Sequence, residues 1–288
     1  MNLQTGQTWS FEQVFTQRQF DRFAALSGDD NPIHVDPAFS ARTKFGRTVA
    51  HGMFLYANIA RALGEIVPGA FPREQELMFP APTYTGEITR LELGATEKSA
   101  AGLVRLSTNL VKPDGSFGCQ GSVLLVAGAL DGPPAAGPPK PLDSSGSADG
   151  WKGLAVGQSA ALRRAYSPAD LEEYIDLLHE TNPLYIDLMY SRKSGLRGAP
   201  LPGPLLGAMF SCLLGTELPG PGTNWLKQRF VFLRAAYPND ELVARARITR
   251  LRPEKELVNL RTWINGPGGE LVCDGEALVW VSDVEEPV

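Results

Sequence analysis

The sequence matches itself at an offset of 151 residues, and this internal repeat is the strongest constraint on the fold. From Gly6 to Gly69 the two segments align without a gap, with Asn31-Pro32 on Asn182-Pro183. The same register aligns further identical pairs: Gly6-Gln7 with Gly157-Gln158, Leu26 with Leu177, Asp36 with Asp187, Ser40 with Ser191, Gly52 with Gly203, Ala57 with Ala208, Leu63-Gly64 with Leu214-Gly215, and Pro68-Gly69 with Pro219-Gly220. Chance does not supply so many identities in one register. The repeat therefore predicts two copies of one fold.

A stretch rich in Pro, Gly, Ala and Ser separates the copies. Residues 131–150 read DGPPAAGPPKPLDSSGSADG and offer almost no apolar surface to bury, which is typical of a linker. The predicted organisation is a first domain over 1–130, a linker over 131–150 and a second domain over 151–288. A chain of 288 residues is long enough for two domains, each with its own core.

Each copy is predicted to begin with a short helix that carries a start signal. Thr16 with Gln19 has the spacing of a capping box, and Ser167 with Asp170 has the same spacing in the second copy. A longer helix follows over 51–66, and it is apolar on nearly every side. Such a helix is buried rather than lying on a surface.

β-rich runs follow the long helix in the first copy. They are predicted over residues 76–80, 88–96, 103–111 and 117–126, with a hairpin turn at 113–115. The second copy repeats the order, with a turn at 266–269. Helices first and an antiparallel meander afterwards predict an α+β fold in which a long buried helix packs against a curved sheet.

Composition excludes several classes of function. The net charge of −5 is spread along the chain without long basic runs, which argues against nucleic-acid binding. The three cysteines stand far apart, so neither a disulfide framework nor a metal site is expected. The first residues lack a signal-peptide pattern, and the longest apolar stretch is too short to cross a bilayer. A soluble cytoplasmic protein without membrane contact is therefore expected.

The stretch 23–36 places a carboxylate, Asp29, and an imidazole, His34, on either side of the turn Asn31-Pro32. Such a turn can bring both side chains to one point. Together they can grip one water molecule, with one group drawing off a proton while the other returns one.

A second feature is the run His51-Gly52-Met53 at the start of the long helix. The unpaired N–H groups of a first helical turn point out of that end, and Gly52 allows a ligand to approach closely. A thioester carbonyl placed there would be stabilised as it becomes an enolate. An acid/base pair beside an oxyanion hole suits addition of water to a double bond conjugated to a thioester.

At these residues the chain resembles the MaoC-like family of (R)-specific enoyl-CoA hydratases and 3-hydroxyacyl dehydratases. The family pattern Ser-x-Asp-x-Asn-Pro-x-His-x-Asp matches from Ser27 to Asp36, and His-Gly-Met matches at 51–53. The resemblance implies a hotdog fold, a catalytic water held by Asp29 and His34, and a thioester oxygen bound by the Gly52 amide. It also implies that Asn31 shapes the site, that the product is the (R) enantiomer and that no cofactor or metal takes part.

The whole chain resembles the double-hotdog hydratases of the family, with one departure. Those enzymes usually keep the active motif in the C-terminal copy, whereas here it is N-terminal. Because one chain already holds both copies, further assembly into a homodimer is an expectation from the resemblance alone.

Three further residues are candidates for substrate contact: His51, Met53 and Arg47. His51 has the alternative of being only a helix-start residue. Arg47, with Arg42 and Lys44, would meet the phosphates of coenzyme A, and a solvated basic loop is the alternative.

The second copy is expected to perform no chemistry. The offset replaces Asp29 by Glu180 and His34 by Tyr185, and Pro204 offers no N–H at the helix start. A tyrosine is a poor proton acceptor at neutral pH. We expect this half to complete the fold, and its freed half-site to widen and accept part of the acyl chain.

Three rival functions stay open at this point. The carrier of the acyl group is either coenzyme A or acyl carrier protein. A hotdog thioesterase is a rival of different reaction type, although the Asn-Pro-x-His arrangement is not its usual signature. A non-catalytic acyl-binding subunit is the third, and the intact first motif argues against it.

Overall fold

A computed structural model describes residues 3–98, 103–127 and 150–281. The first half contains, in order, β1 (Thr8–Val14), α1 (Gln17–Ser27), α2 (Pro32–Val35), α3 (Pro37–Ser40), α4 (Gly52–Ile66), β2 (Ala70–Met78), β3 (Ile88–Lys98), β4 (Val104–Val111) and β5 (Phe117–Ala127). The second half contains β6 (Ser159–Arg164), α5 (Pro168–Leu178), α6 (Pro183–Ile186), α7 (Leu188–Lys193), α8 (Gly203–Thr216), β7 (Thr223–Phe232), β8 (Leu242–Arg252), a 3-10 turn (Pro253–Lys255), β9 (Leu257–Asn265) and β10 (Leu271–Val281).

The two halves share one order of elements, which confirms the α+β prediction for each copy. The helices α1 and α5, α2 and α6, and α4 and α8 each begin at the offset of the sequence repeat. The expectation that each copy opens with a helix is wrong, because β1 and β6 come first. Both are edge strands paired to a distant strand, β3 or β8, and that pairing is not visible in local sequence. The domain boundaries stay a prediction, and the linker lies outside the described residues except for Gly150.

The ten strands of the described residues join in a single antiparallel sheet. Its order is β1-β3-β4-β5-β2-β7-β10-β9-β8-β6, so each half supplies five neighbouring strands. The halves meet where β2 pairs with β7, with Glu74 opposite Val231 and Met78 opposite Lys227. Strand β2 begins at Ala70, six residues before the predicted run, because pairing with β5 orders this segment as well.

The long helices α4 and α8 pack against each other inside this sheet. Most of α4 is buried, as its apolar sequence predicts, including Met53, Phe54 and Tyr56, none of which is exposed. Where α4 reaches solvent, Arg61 and Glu65 form an i,i+4 ion pair at 3.0 Å. Within the described residues, no helix is long and apolar enough to cross a membrane.

Helix α1 has a capping motif at each end, and these motifs position the residues that follow it. The capping box is confirmed: the Gln19 amide donates to the Thr16 hydroxyl, and the Thr16 amide donates to the Gln19 side chain at 2.9 Å. The helix stops at Gly28, whose φ of 75° lies in the left-handed region that glycine adopts readily. Asp29 therefore leaves the helix in a defined direction.

The second half holds the C-terminal end of α1. Arg164 of β6 donates to the carbonyls of Leu26 and Ser27, both at 2.6 Å. A guanidinium at this end satisfies carbonyls that the helix leaves unpaired and complements the helix dipole. Arg22 joins α1 to α5 through Glu173, at 2.7 Å.

Two glycines beside the β2–β7 junction are predicted to be intolerant of substitution. A Cβ at Gly121 of β5 would clash with the Glu76 carbonyl of β2, and a Cβ at Gly275 of β10 would clash with the Arg229 carbonyl of β7. We expect Gly121→Ala and Gly275→Ala each to lower the free energy of unfolding by about 1–3 kcal/mol, as overpacking does. Thermal and urea denaturation measure this change. Gly198→Ala is the matched control, because its Cβ would lie at an ordinary 3.8 Å from Leu188. Equal stability of all three variants would contradict the prediction.

Candidate active site

The carboxylate of Asp29 is buried where the two halves meet, with only 3% of the residue exposed. Its Oδ2 accepts a hydrogen bond of 2.5 Å from the hydroxyl of Ser211, which lies on α8 of the second half. Its Oδ1 is buried and has no hydrogen-bond partner among the described residues. One oxygen is thus anchored, while the other keeps its full capacity to accept.

His34 lies on the short helix α2, and its ring is oriented by the backbone. Asn31 caps this helix, since its side-chain oxygen accepts from the Ile33 amide at 3.2 Å. The Nδ1 of His34 lies 2.8 Å from the carbonyl oxygen of Val49. A carbonyl can only accept, so Nδ1 carries the proton and Nε2 of the neutral ring is left as an acceptor.

His51 contacts both His34 and Asp29 on the side away from the cavity. Its ring stacks on that of His34 with centroids 3.7 Å apart, and it is fully buried. Its Nε2 lies 2.9 Å from the backbone carbonyl of Asp29 and donates to it. His51 thereby ties the start of α4 to the residue that carries the buried carboxylate.

The electrostatics assign one negative charge to this cluster. Burial raises the pKa of Asp29, but attraction to the imidazoles of His34 and His51 and the hydrogen bond from Ser211 outweigh it, and the pKa lies below its ordinary value. Burial lowers the pKa of His34, and burial together with the neighbouring His34 lowers that of His51 to about 3. At neutral pH the site therefore holds an ionised carboxylate and two neutral imidazoles.

A metal ion does not suit this cluster, although one ligand atom each from Asp29, His34 and His51 lies within 4.8 Å of the others. An imidazole binds a metal through a lone pair in the plane of its ring. The two rings are stacked with an interplanar angle of 29°, so their lone pairs lie in two separate, nearly parallel planes. The arrangement favours proton transfer over metal binding.

A cavity of about 290 Å³ opens onto Asp29 and His34. Both halves line it, with Leu55 and Phe79 from the first half and Leu214, Trp225 and Leu226 from the second. The lining is largely apolar, as expected of a site for an acyl group.

Gly52 lies in the cavity wall as the first residue of α4. Its amide has no earlier helical carbonyl to bind, and it forms no hydrogen bond within the described residues. The Phe79 ring packs against Gly52 so closely that a Cβ would lie 2.9 Å from it. A side chain at position 52 would therefore force the Phe79 ring to shift.

The structure brings four of the seven predicted site residues to the cavity: Asp29, His34, Gly52 and Asn31. The other three lie elsewhere. His51 is behind His34, Met53 is buried in the core, and Arg47 is exposed with its guanidinium 3.0 Å from Glu87. Of the three cations on the preceding loop, Lys44 lines the cavity, whereas Arg42 and Arg47 do not.

Ser211 is a site residue that the sequence analysis missed. The available signal was a hydroxyl at a buried position of α8, within the apolar run GPLLGAMFSCLLGT. The repeat offset places it on Ala60, which carries no such group. Without the packing of α8 beside Asp29, nothing in the local sequence distinguishes Ser211 from a structural serine.

The counterpart site in the second half is closed. Oε1 of Glu180 accepts the amides of Thr181 and Asn182, at 2.9 and 2.8 Å. The enclosed space between Tyr185 and Gly203 is only about 20 Å³, and Tyr56 reaches across it to Gly203. The expected widening of this half-site is therefore wrong, because aromatic side chains fill it. The second half instead contributes to the wall of the first cavity.

The first half of the chain matches a known sequence family. Residues 3–108 match the sequence family described as MaoC like domain. An (R)-specific enoyl-CoA hydratase of Aeromonas caviae is 35% identical over 126 residues, which cover 44% of this chain and 94% of that enzyme.

Two solved structures are similar over both halves. A MaoC-like dehydratase superposes with a TM-score of 0.78 at 15% identity, covering 96% of this chain and 98% of that one. A protein of Mycobacterium tuberculosis described as having a double hotdog fold gives a TM-score of 0.74 at 12% identity, covering 97% of each chain. At these identities the similarity establishes the fold alone.

The charge assignment predicts how the histidines titrate. Since both rings are neutral and buried, we expect neither His34 nor His51 to take up a proton near the ordinary pKa of 6.5, and His51 to stay neutral until the pH approaches 3. The unfolded chain takes up these protons near pH 6.5, so the free energy of unfolding should fall as the pH drops below that value. Imidazole NMR signals measure the titration, and the chain has three histidines to assign. A midpoint near 6.5 for His51 would contradict the assignment.

Proposed function

The chain belongs to the MaoC-like dehydratase family and has a double-hotdog fold, and on this basis we propose that it is a hydro-lyase acting on acyl-CoA thioesters. The proposed reaction is the reversible hydration of a trans-2-enoyl-CoA to the (R)-3-hydroxyacyl-CoA. The observation that carries this proposal is the unpartnered Oδ1 of Asp29 beside the acceptor Nε2 of His34, in an apolar cavity next to a helix N-terminus.

The two acceptors suit a single water molecule. A water has two hydrogens to donate, and Oδ1 of Asp29 and Nε2 of His34 offer one acceptor site each. Both atoms are fixed from behind, Asp29 by Ser211 and His34 by Val49. A water held in this way has its oxygen lone pairs directed away from the pair, toward the cavity.

In the proposed hydration, this water attacks Cβ of the enoyl group while His34 accepts one of its protons. The carboxylate of Asp29 holds the second hydrogen and stabilises the imidazolium that forms. The electron pair of the double bond moves onto the thioester as an enolate. Return of the proton from the pair to Cα completes the addition, and dehydration is the same path in reverse.

The enolate oxygen requires a donor, and the Gly52 amide is proposed to supply it. The helix α4 begins at this residue, so the positive end of its dipole faces the cavity. Loss of one such donor typically costs about 3–4 kcal/mol of barrier. Asn31, which caps α2 and lines the cavity, is proposed to shape the entrance to the pair.

The acyl chemistry is the same when the carrier is acyl carrier protein, so a 3-hydroxyacyl-ACP dehydratase is the nearest alternative. A thioesterase would instead release a free thiol. Incubation with crotonyl-CoA separates these outcomes. We expect loss of the enoyl absorbance without thiol release, and an (R)-3-hydroxy product by chiral analysis. Release of thiol, or an excess of the (S) product, would overturn the proposal.

The pair should act as one unit. We expect Asp29→Asn and His34→Ala each to lower kcat by about a hundredfold or more, the range of general acid/base catalysis. The double variant should be little worse than either single variant, because neither group can manage the water alone. Steady-state kinetics with crotonyl-CoA measure these losses. Multiplicative losses would show that the two residues act independently.

The hydroxyl of Ser211 should support the carboxylate across the junction of the halves. Ser211→Ala removes the donor to Asp29 Oδ2, which raises the pKa of Asp29 and leaves the carboxylate less firmly oriented. We expect kcat to fall by about ten- to a hundredfold, since hydrogen bonds to charged groups contribute about 1.5–3 kcal/mol. The acidic limb of the pH–rate profile should move to higher pH.

Thr216→Ala is the matched control for Ser211→Ala. Thr216 lies on the last turn of the same helix, and its hydroxyl donates to the Cys212 carbonyl at 2.8 Å rather than to the site. Its loss should leave both kcat and the pH–rate profile unchanged. An unshifted acidic limb in Ser211→Ala would show that the serine only packs.

A further inference from the structure

The ionisable groups that line the cavity lie at different depths. Asp29 and His34 are buried, with 3% and 8% of each residue exposed. Lys44 is the sole cation among the described residues of the lining, and it is exposed. A single positive charge therefore marks the solvent end of a cavity whose reactive groups lie at the inner end.

Lys44 is held in place by the second half. Its Nζ lies 3.7 Å from the ring centroid of Trp280 on β10, a cation–π contact that spans the two halves. The indole is itself oriented, because Nε1 of Trp280 donates to Glu256 at 3.1 Å. Lys152 lies 3.4 Å from the same carboxylate. The lysine is thus a positioned charge in the cavity wall.

The other cations of this loop differ from Lys44. Arg47 pairs with Glu87 and lies over Tyr84, with its Cζ 4.1 Å from the ring centroid. Arg42 lies 5.9 Å from the Phe39 ring centroid. Neither of them lines the cavity. Of the three cations, only Lys44 is therefore placed to contact a ligand at the cavity mouth.

We propose that Lys44, seated on Trp280, binds a phosphate of the phosphopantetheine arm that carries the acyl group. This proposal rests on the proposed function, which places the acyl end at Asp29 and His34. The rest of the substrate must then leave through the solvent end, past Lys44. A fixed ammonium group attracts a phosphate there, and the apolar Trp225 and Phe45 line the path for the uncharged part of the arm.

The test compares the crotonyl thioesters of three thiols. Pantetheine carries no phosphate, 4′-phosphopantetheine adds one phosphate to it, and coenzyme A adds the adenosine nucleotide with its further phosphates. We expect Lys44→Gln to raise KM for crotonyl-CoA by roughly two- to fivefold without changing kcat, the effect of losing one exposed charge pair. KM for the pantetheine thioester should not change. High salt should reduce the difference between the wild-type protein and Lys44→Gln.

The phosphopantetheine thioester identifies the phosphate concerned. A raised KM with this substrate assigns Lys44 to the phosphate shared by coenzyme A and acyl carrier protein. A raised KM with crotonyl-CoA alone would assign Lys44 to the nucleotide and would overturn the proposal. Arg42→Gln is the control, with the same loss of charge two residues away and outside the cavity, and it should change none of these values.

An equal change of KM for all three thioesters, or no change for any, would overturn the proposal. If the wild-type protein hydrates none of them, the proposed function fails, and binding is then measured directly. Titration with free 4′-phosphopantetheine and with pantetheine, followed by tryptophan fluorescence, tests Lys44 without turnover. Weaker binding of 4′-phosphopantetheine but not of pantetheine by Lys44→Gln would still support the phosphate site.

Discussion

The ionised carboxylate of Asp29, buried between the two halves, is the interaction on which the rest of the site depends. Burying a charge is costly unless donors compensate it. Here the compensation comes from both halves, because the Ser211 hydroxyl donates to the carboxylate and the backbone before it is held by Arg164. A single copy of the fold would lack both partners. The joining of the halves is therefore a requirement of the site as well as of the sheet.

The two halves have similar folds and different sites, and the difference is concentrated on the packed helices. Helix α8 carries Ser211 where α4 carries Ala60, so a carboxylate is supported on one side only. Helix α4 carries Tyr56 where α8 carries Gly207, and the tyrosine fills the space beside Gly203. Helix α8 thus supplies a hydrogen-bond donor to the first site, while α4 supplies the side chain that fills the second. Each helix acts on the site of the opposite half.

The orientation of the buried polar side chains determines which half can carry out proton transfer. Backbone carbonyls of Val49 and Asp29 fix the tautomers of His34 and His51, and stacking holds the rings together. Tyr185 occupies the counterpart of His34, where burial raises its pKa well above the usual range. A group in that state neither accepts nor releases a proton at neutral pH. The fold alone therefore does not make a site, and the identity of a few side chains decides which half carries one.

The sequence by itself determined the features that local chemistry controls. The repeat predicted two copies, the capping box predicted the start of α1, and the uniformly apolar helix predicted burial. The turn at Asn31-Pro32 predicted that Asp29 and His34 lie close together, and both line one cavity. Tertiary structure alone decided what depends on contacts between distant segments. Ser211 reaches Asp29 across 182 positions of the chain, β1 becomes a strand by pairing with β3, and Tyr56 closes the second half-site. Arg47 turns to Glu87, while Lys44 turns to Trp280 at the cavity mouth. The physical reason is that spacing along the chain specifies turns and helix faces, whereas the partner of a buried charge depends on which surfaces pack together.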